Sequence, residues 1–230
     1  MRLNKRLVEI GYCSRRNADK LIADGRVLVN GEVATLGMQV SDDDEIEIDG
    51  DILAKDDEKI LIAYNKPRGV VCTESNVEKS PKISDKIAEF GIGKRLFTIG
   101  RLDKDSTGLI LITNDGDLAR EITNTHKDYE KEYEVRVNKP INGDFIKKME
   151  QGVYLSEIDK KTKPCKIHRF GKELYRFSIT ITQGLNRQVR RMCKELGYHV
   201  VDLKRTRIMK LKLGSLATGD FKIINKSALF

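Results

Sequence analysis

Residues 108–113 read GLILIT. Four consecutive apolar residues between turn formers, with no polar alternation, are the mark of a strand buried on both faces. Any fold for this chain must cover that strand from two sides. The segment just before it, residues 100–108, is a tight glycine-bounded loop carrying Asp103 and Asp105. Carboxylates at the mouth of a buried strand, in a chain of net charge +8, need a reason. A calcium loop is a poor one: counted from Asp103, the twelfth position is Asn114 rather than Glu, and the residues that follow are strand-like. A surface turn capped by its own Asp suits Asp105. It suits Asp103 less, because Arg101 stands two residues before it and the apolar strand lies close behind. A nearby cation favours the ionised carboxylate. In a partly dry pocket such a group can act as nucleophile or general base. No second acid is spaced to make a glycosidase pair with it.

Composition narrows the partners. The 230 residues allow one large domain or a small one beside a medium one. With 39% hydrophobic and 34% charged residues, a soluble protein with a real core is expected, at the polar end of the range. No apolar run reaches 18 residues, so no membrane span is expected. The opening MRLNKRLVEIGY lacks the apolar core of a secretory signal, which predicts a cytoplasmic location. Cys13, Cys72, Cys165 and Cys193 lie far apart without a CxxC pair and are read as free thiols. His126, His168 and His199 show no metal spacing, so no metal is expected. Charge is uneven: residues 1–41 carry +3, residues 42–58 carry −9, and the remainder carries +14. An acidic hinge thus separates two basic bodies. A basic body implies a polyanion, of which nucleic acid is the commonest, or else a plain solvated lysine surface.

The local signals divide the chain into a 1–58 module and a 59–230 body. Leu3, Leu7 and Ile10 recur at helical spacing up to Gly11, and Ser14 caps a second helix over Arg15–Ala23. Alternation around Asn30-Gly31 predicts a hairpin, and residues 44–51 predict one further strand. Residues 49–58 are the expected linker. Residues 59–72 read as strand, turn, strand about Pro67 and Gly69. Helices are expected over 83–90, over 117–124 with Asp117 at its start, over 141–152, and over 185–197. Strands are expected over 131–138, over 175–183 and from 203. Without a clean βαβ alternation the expected class is α+β, with a mixed, mainly antiparallel sheet and flanking helices.

Residues 2–34, RLNKRLVEIGYCSRRNADKLIADGRVLVNGEVA, resemble the alpha-L RNA-binding module. The resemblance implies that Arg15, Arg16 and Lys20 meet RNA backbone. IGRLDKDSTGLILITNDGDLA at 99–119 resembles the signature of RNA pseudouridine synthases of the ribosomal type, in which an alpha-L module precedes the catalytic domain. NKPRGVVC at 65–72, KEYEV at 131–135, QGLNRQVRRMCKELGY at 183–198 and LKRTRIM at 203–209 agree with it in order. Asn186-Arg187-Gln188 and the run 205–209 point to the large-subunit branch. The resemblance implies conversion of a uridine to pseudouridine, without a cofactor, after the nucleotide is flipped from its stack. Asp103 matches the essential aspartate, Tyr133 an active-site aromatic that stacks on the base, and Arg190 the cation paired with the aspartate. Arg101 matches a residue near the flipped nucleotide, and Leu203 an apolar wall. Lys131, Arg187 and Arg191 join the expected substrate contacts. Without the resemblance, Tyr133 would be an ordinary strand aromatic, and Arg190 and Arg191 a phosphate-binding helix face. The implied partner is large-subunit ribosomal RNA, with transfer RNA or small-subunit RNA as the alternative target. The chain is expected to be a monomer. A non-catalytic RNA-binding assembly factor is the rival function.

Overall fold

The computed structural model describes residues 1–53, 58–73, 80–124 and 126–230. At the N-terminus, α1 (Leu3–Glu9) and α2 (Arg15–Ala23) pack on a sheet of β1 (Val27–Val29), β2 (Glu32–Val33), β3 (Ile46–Ile48) and β4 (Asp51–Ile52), in the order β2-β1-β3-β4. Ser14 Oγ accepts from the Asn17 amide at 3.3 Å, the expected cap. Asn30 and Gly31 both have positive φ, +52° and +82°, as a tight two-residue hairpin requires. Leu3, Leu7, Ile22, Val27 and Ile48 form a small core of their own. One expectation is corrected: 44–51 is not one strand. Asp49 (φ +54°) and Gly50 (φ +93°) turn the chain between β3 and β4, and Arg26 clamps the Asp49 carboxylate. The first part of the expected linker is therefore strand β4, and residues 54–57 lie outside the described residues.

The second body comprises β5 (Leu61–Lys66), α3 (Ile83–Ala88), β6 (Phe97–Ile99), β7 (Thr107–Thr113), α4 (Gly116–Thr123), β8 (Lys131–Val137) and α5 (Gly143–Glu150). It continues with β9 (Tyr154–Leu155), β10 (Lys160–Lys161), β11 (Lys166–Arg169), β12 (Arg176–Ile181), α6 (Gln188–Glu195), β13 (Val200–Ile208), β14 (Leu211–Lys212) and β15 (Phe221–Ile223). Among the described residues, nine of these strands share one sheet, β11-β12-β8-β13-β7-β5-β15, with β14 on β13 and β6 on β7. Every pairing is antiparallel except β13 with β7. The apolar run explains itself: Ile110 and Ile112 enter one core, Leu109 and Leu111 another on the opposite face.

Two further local readings change. Residues 70–72 do not form a second strand; Val71 makes a single bridge to Lys82. The buried Lys66 ammonium donates to Pro67 O (2.9 Å) and Val70 O (2.8 Å), which curls this segment over. Helix α4 is capped by Asp115, whose carboxylate accepts from the Asp117 and Leu118 amides at 3.0 Å. Asp117 instead takes the Lys5 ammonium of α1 at 2.9 Å, a contact between the two bodies that no local pattern reveals.

Candidate active site

Asp103 sits on the loop between β6 and β7. Gly100 (φ +73°) opens the loop, and the Ser106 amide donates to Asp103 O at 3.0 Å. The loop is tied to the curled 66–70 segment by the Gly69 amide, 2.9 Å from Lys104 O. Gly108 closes it at φ +100°. A Cβ there would lie 2.3 Å from Arg205 O, so only glycine lets β13 pair this closely beside β7.

The Asp103 carboxylate is 26% exposed and faces two guanidinium groups, Arg187 Nη1 at 3.6 Å and Arg190 Nε at 3.8 Å. Arg190, on α6, is fixed by three further acceptors: Val200 O (3.2 Å), Asp105 O (3.2 Å) and Ser106 Oγ (3.3 Å). Its Nε is buried without a hydrogen-bond partner and is aimed at Asp103. Burial, then the nearby Arg187, lowers the pKa of Arg190 from its ordinary value. Arg187 is the N-cap of α6 in the left-handed conformation (φ 52°, ψ 32°), a strained geometry for a long side chain.

These groups open onto a cavity of about 520 Å³, within the range of small-ligand sites. Asp103, Tyr133, Leu203, Lys131, Arg101 and Arg187 all line it. Tyr133 projects from β8 opposite Arg205 on β13, and the Arg205 guanidinium lies 6.0 Å from its ring centre. The β8–β13 register slips between Arg205 and Arg207, a bulge beside the site. Arg205 Nε donates to Leu109 O at 2.6 Å, leaving Nη2 buried and unpartnered. Burial, then Arg205, lowers the pKa of Lys131. The pocket is therefore apolar on its walls and cationic on its floor, with one carboxylate at its edge.

Of the sequence-predicted residues, Arg190 and Arg191 lie outside this cavity's lining: Arg190 faces Asp103 at 3.8 Å, and Arg191 pairs with Glu157 at 3.2 Å. Arg15, Arg16 and Lys20 are exposed on α2 and do not line it either. Two residues went unpredicted. Arg205 enters the sequence reading only within the run 205–209 and with no place in the site, although it lies on a strand whose pairing sets it opposite Tyr133. Lys66 ends an otherwise apolar strand, and burial lowers its pKa. Among the described residues, no group of three or more His, Cys, Asp or Glu is placed to hold a metal, and no helix is long and apolar enough to cross a membrane.

A site of this kind, on a split antiparallel sheet preceded by an alpha-L module, defines a class. Residues 60–195 match the family model described as RNA pseudouridylate synthase, and residues 1–46 match the S4 domain; the chain belongs to the RNA pseudouridylate synthase family. It is 44% identical over 232 residues to the dual-specificity RNA pseudouridine synthase RluF of Escherichia coli (strain K12), an alignment covering 100% of this chain and 77% of that one. It is 36% identical over 224 residues to ribosomal large subunit pseudouridine synthase B of Bacillus subtilis (strain 168), covering 95% and 90% of the two chains. A solved crystal structure of pseudouridylate synthase superimposes with a TM-score of 0.70 at 32% identity, covering 100% of this chain and 98% of that one.

Proposed function

We propose that this enzyme isomerises a uridine of large-subunit ribosomal RNA, acting as a monomer in the cytoplasm, with residues 1–58 as the RNA-docking domain and 59–230 as the catalytic domain. The observation that carries the reading is the Asp103 carboxylate, held between Arg187 and Arg190 at the edge of a cavity that also contains Tyr133 and Leu203. The target atoms are hidden inside a base stack, so the nucleotide must be extruded, at a cost of a few kcal/mol. A stacking aromatic returns ~1–3 kcal/mol per base. Tyr133 supplies that face, and Leu203, on the same face of the neighbouring strand, an apolar wall beside it. Lys131 and Arg205 are the cations that line the same cavity and are the donors we assign to the uracil carbonyls. The reaction breaks the N1–C1′ bond, turns the base and forms C5–C1′. The C5 proton leaves and N1 gains one, so no redox partner is required. Asp103 is the catalytic carboxylate, and Arg190 holds its orientation.

Asp103→Asn keeps the shape and removes the charge. Turnover on an RNA stem-loop should vanish, while affinity stays within about tenfold of the parent, because phosphate contacts dominate binding. Retained turnover would overturn the assignment. Pseudouridine mapping in a deletion strain, by carbodiimide and primer extension, tests the target. Loss of a large-subunit site supports the reading, and loss only from another RNA refutes it. The name of the 44% identical relative includes dual specificity, so transfer RNA and small-subunit RNA join the mapping as alternative substrates.

A further inference from the structure

Helix α6 and its cap present Arg187, Arg190, Arg191 and Lys194 at the i, i+3, i+4 and i+7 positions of one face. Like charges at this spacing repel. Two carboxylates compensate them. Asp103 meets the first pair of cations and belongs to the active site. Glu157 meets the second pair: one oxygen lies 3.2 Å from Arg191 Nε and the other 2.5 Å from Lys194 Nζ. No part of the catalytic reading uses Glu157. It comes from a separate short helical turn, Ser156–Ile158, between β9 and β10. That turn is pinned from α6 itself, where Glu195 accepts from the Ser156 amide (2.9 Å) and hydroxyl (2.6 Å). Glu157 also lines a groove of about 280 Å³ that runs past Arg187, Arg190 and His199. The same Arg187 and Arg190 face Asp103, so the groove leads directly to the catalytic loop.

Two oxygens bridging an arginine and a lysine reproduce what a backbone phosphate would offer the same two cations. The Glu157 side chain is 41% exposed and that of Lys194 65%, so the contacts are wet and cheap to exchange. We propose that Glu157 occupies the place of a substrate backbone phosphate on the α6 face, that RNA displaces it on binding, and that this exchange makes Glu157 an internal competitor that holds down RNA affinity. The inference rests on the RNA-modifying reading above. An RNA that reaches only this face trades one anion for another and gains little. An RNA whose extruded uridine also fills the cavity gains the stacking and floor contacts in addition. Glu157 thus lowers the affinity of both by a similar factor, and the cavity contacts alone separate them.

The test is equilibrium binding by the full chain at several salt concentrations. The probes are a stem-loop with an unpaired uridine and the same stem-loop with cytidine in its place. Glu157→Gln should bind both RNAs more tightly, by about threefold to tenfold and to a similar extent. Its salt slope should steepen by about one, as one more phosphate is neutralised without an internal competitor. Glu157→Asp, which keeps the anion, should restore parental behaviour. Asp144→Asn removes an exposed, lysine-paired carboxylate on α5 and should leave both affinities unchanged. Unchanged or weakened binding by Glu157→Gln at a parental melting temperature would overturn the proposal, as would equal tightening by Asp144→Asn. Turnover by the parent enzyme is followed separately. If the parent converts uridine but Glu157→Gln binds no better, only this inference fails. If the parent converts none, the catalytic reading fails while the binding data still decide the role of Glu157.

Discussion

At the residue scale, the chemistry proposed for Asp103 depends on how few freedoms are left to that carboxylate and its neighbours. Arg190 spends two of its nitrogens on Val200, Asp105 and Ser106, so its Nε cannot turn away from the carboxylate. Such fixed charges act without reorganisation, which is where electrostatic catalysis gains most. Gly108 plays the complementary part by being absent of side chain. Gly108→Ala would drive a Cβ into Arg205 O and force a backbone region that L residues rarely adopt. It should destabilise the protein by on the order of 3 kcal/mol or more, seen as a lower urea midpoint. Any folded fraction should have lost turnover, because the strand carrying Leu203 and Arg205 is displaced.

At the element scale, α6 does two jobs. Its buried Val189, Met192 and Cys193 join the core, and its opposite face carries the cations. Its cap, Arg187, pays a conformational strain that glycine would not, which ties the cation at this point to function rather than to folding. Arg187→Gly should therefore hold stability within ~1 kcal/mol of the parent by chemical melting. In the same protein RNA affinity should drop several-fold. A large loss of stability would show that the arginine is there for the fold. The bulge in β13 works similarly, placing Arg205 opposite Tyr133 and Arg207 against Glu132 and Glu130 on the other side.

At the scale of the whole molecule, an N-terminal unit with its own core, cationic on α2 but net −4 over residues 1–53, contacts the larger, basic body through Lys5 and Asp117. Residues 183–212 alone carry nine Lys or Arg against two Asp or Glu. Affinity for RNA should fall steeply with salt. Replacing Arg15, Arg16 and Lys20 together by Ala removes three exposed cations from α2 without touching the cavity. The slope of log affinity against log salt should flatten by about 2–3, with turnover at saturating RNA preserved. An unchanged slope would mean that α2 does not meet the phosphate backbone.

The chain by itself determined the elements whose causes are local. Ser14 begins α2 because a hydroxyl can take the Asn17 amide, and Asn30-Gly31 turns because both residues tolerate positive φ. The 109–112 run is buried on both faces because it has no polar side to show. The loop 100–108 stands out as a candidate site in the sequence because it sets carboxylates at the mouth of that buried strand. What only the tertiary structure decided depends on partners distant in the chain. The two-residue strands β9 and β10, and the edge strand β15, exist by pairing rather than propensity. The cap of α4 went to Asp115, whose carboxylate takes the Asp117 and Leu118 amides, while the Asp117 side chain reaches Lys5. Arg101, two residues from Asp103, lines the cavity, whereas the cations beside the carboxylate came from residues 187 and 190. Sequence proximity fixes backbone distance, but side-chain direction and solvent exclusion are settled only when the sheet and α6 close around the loop.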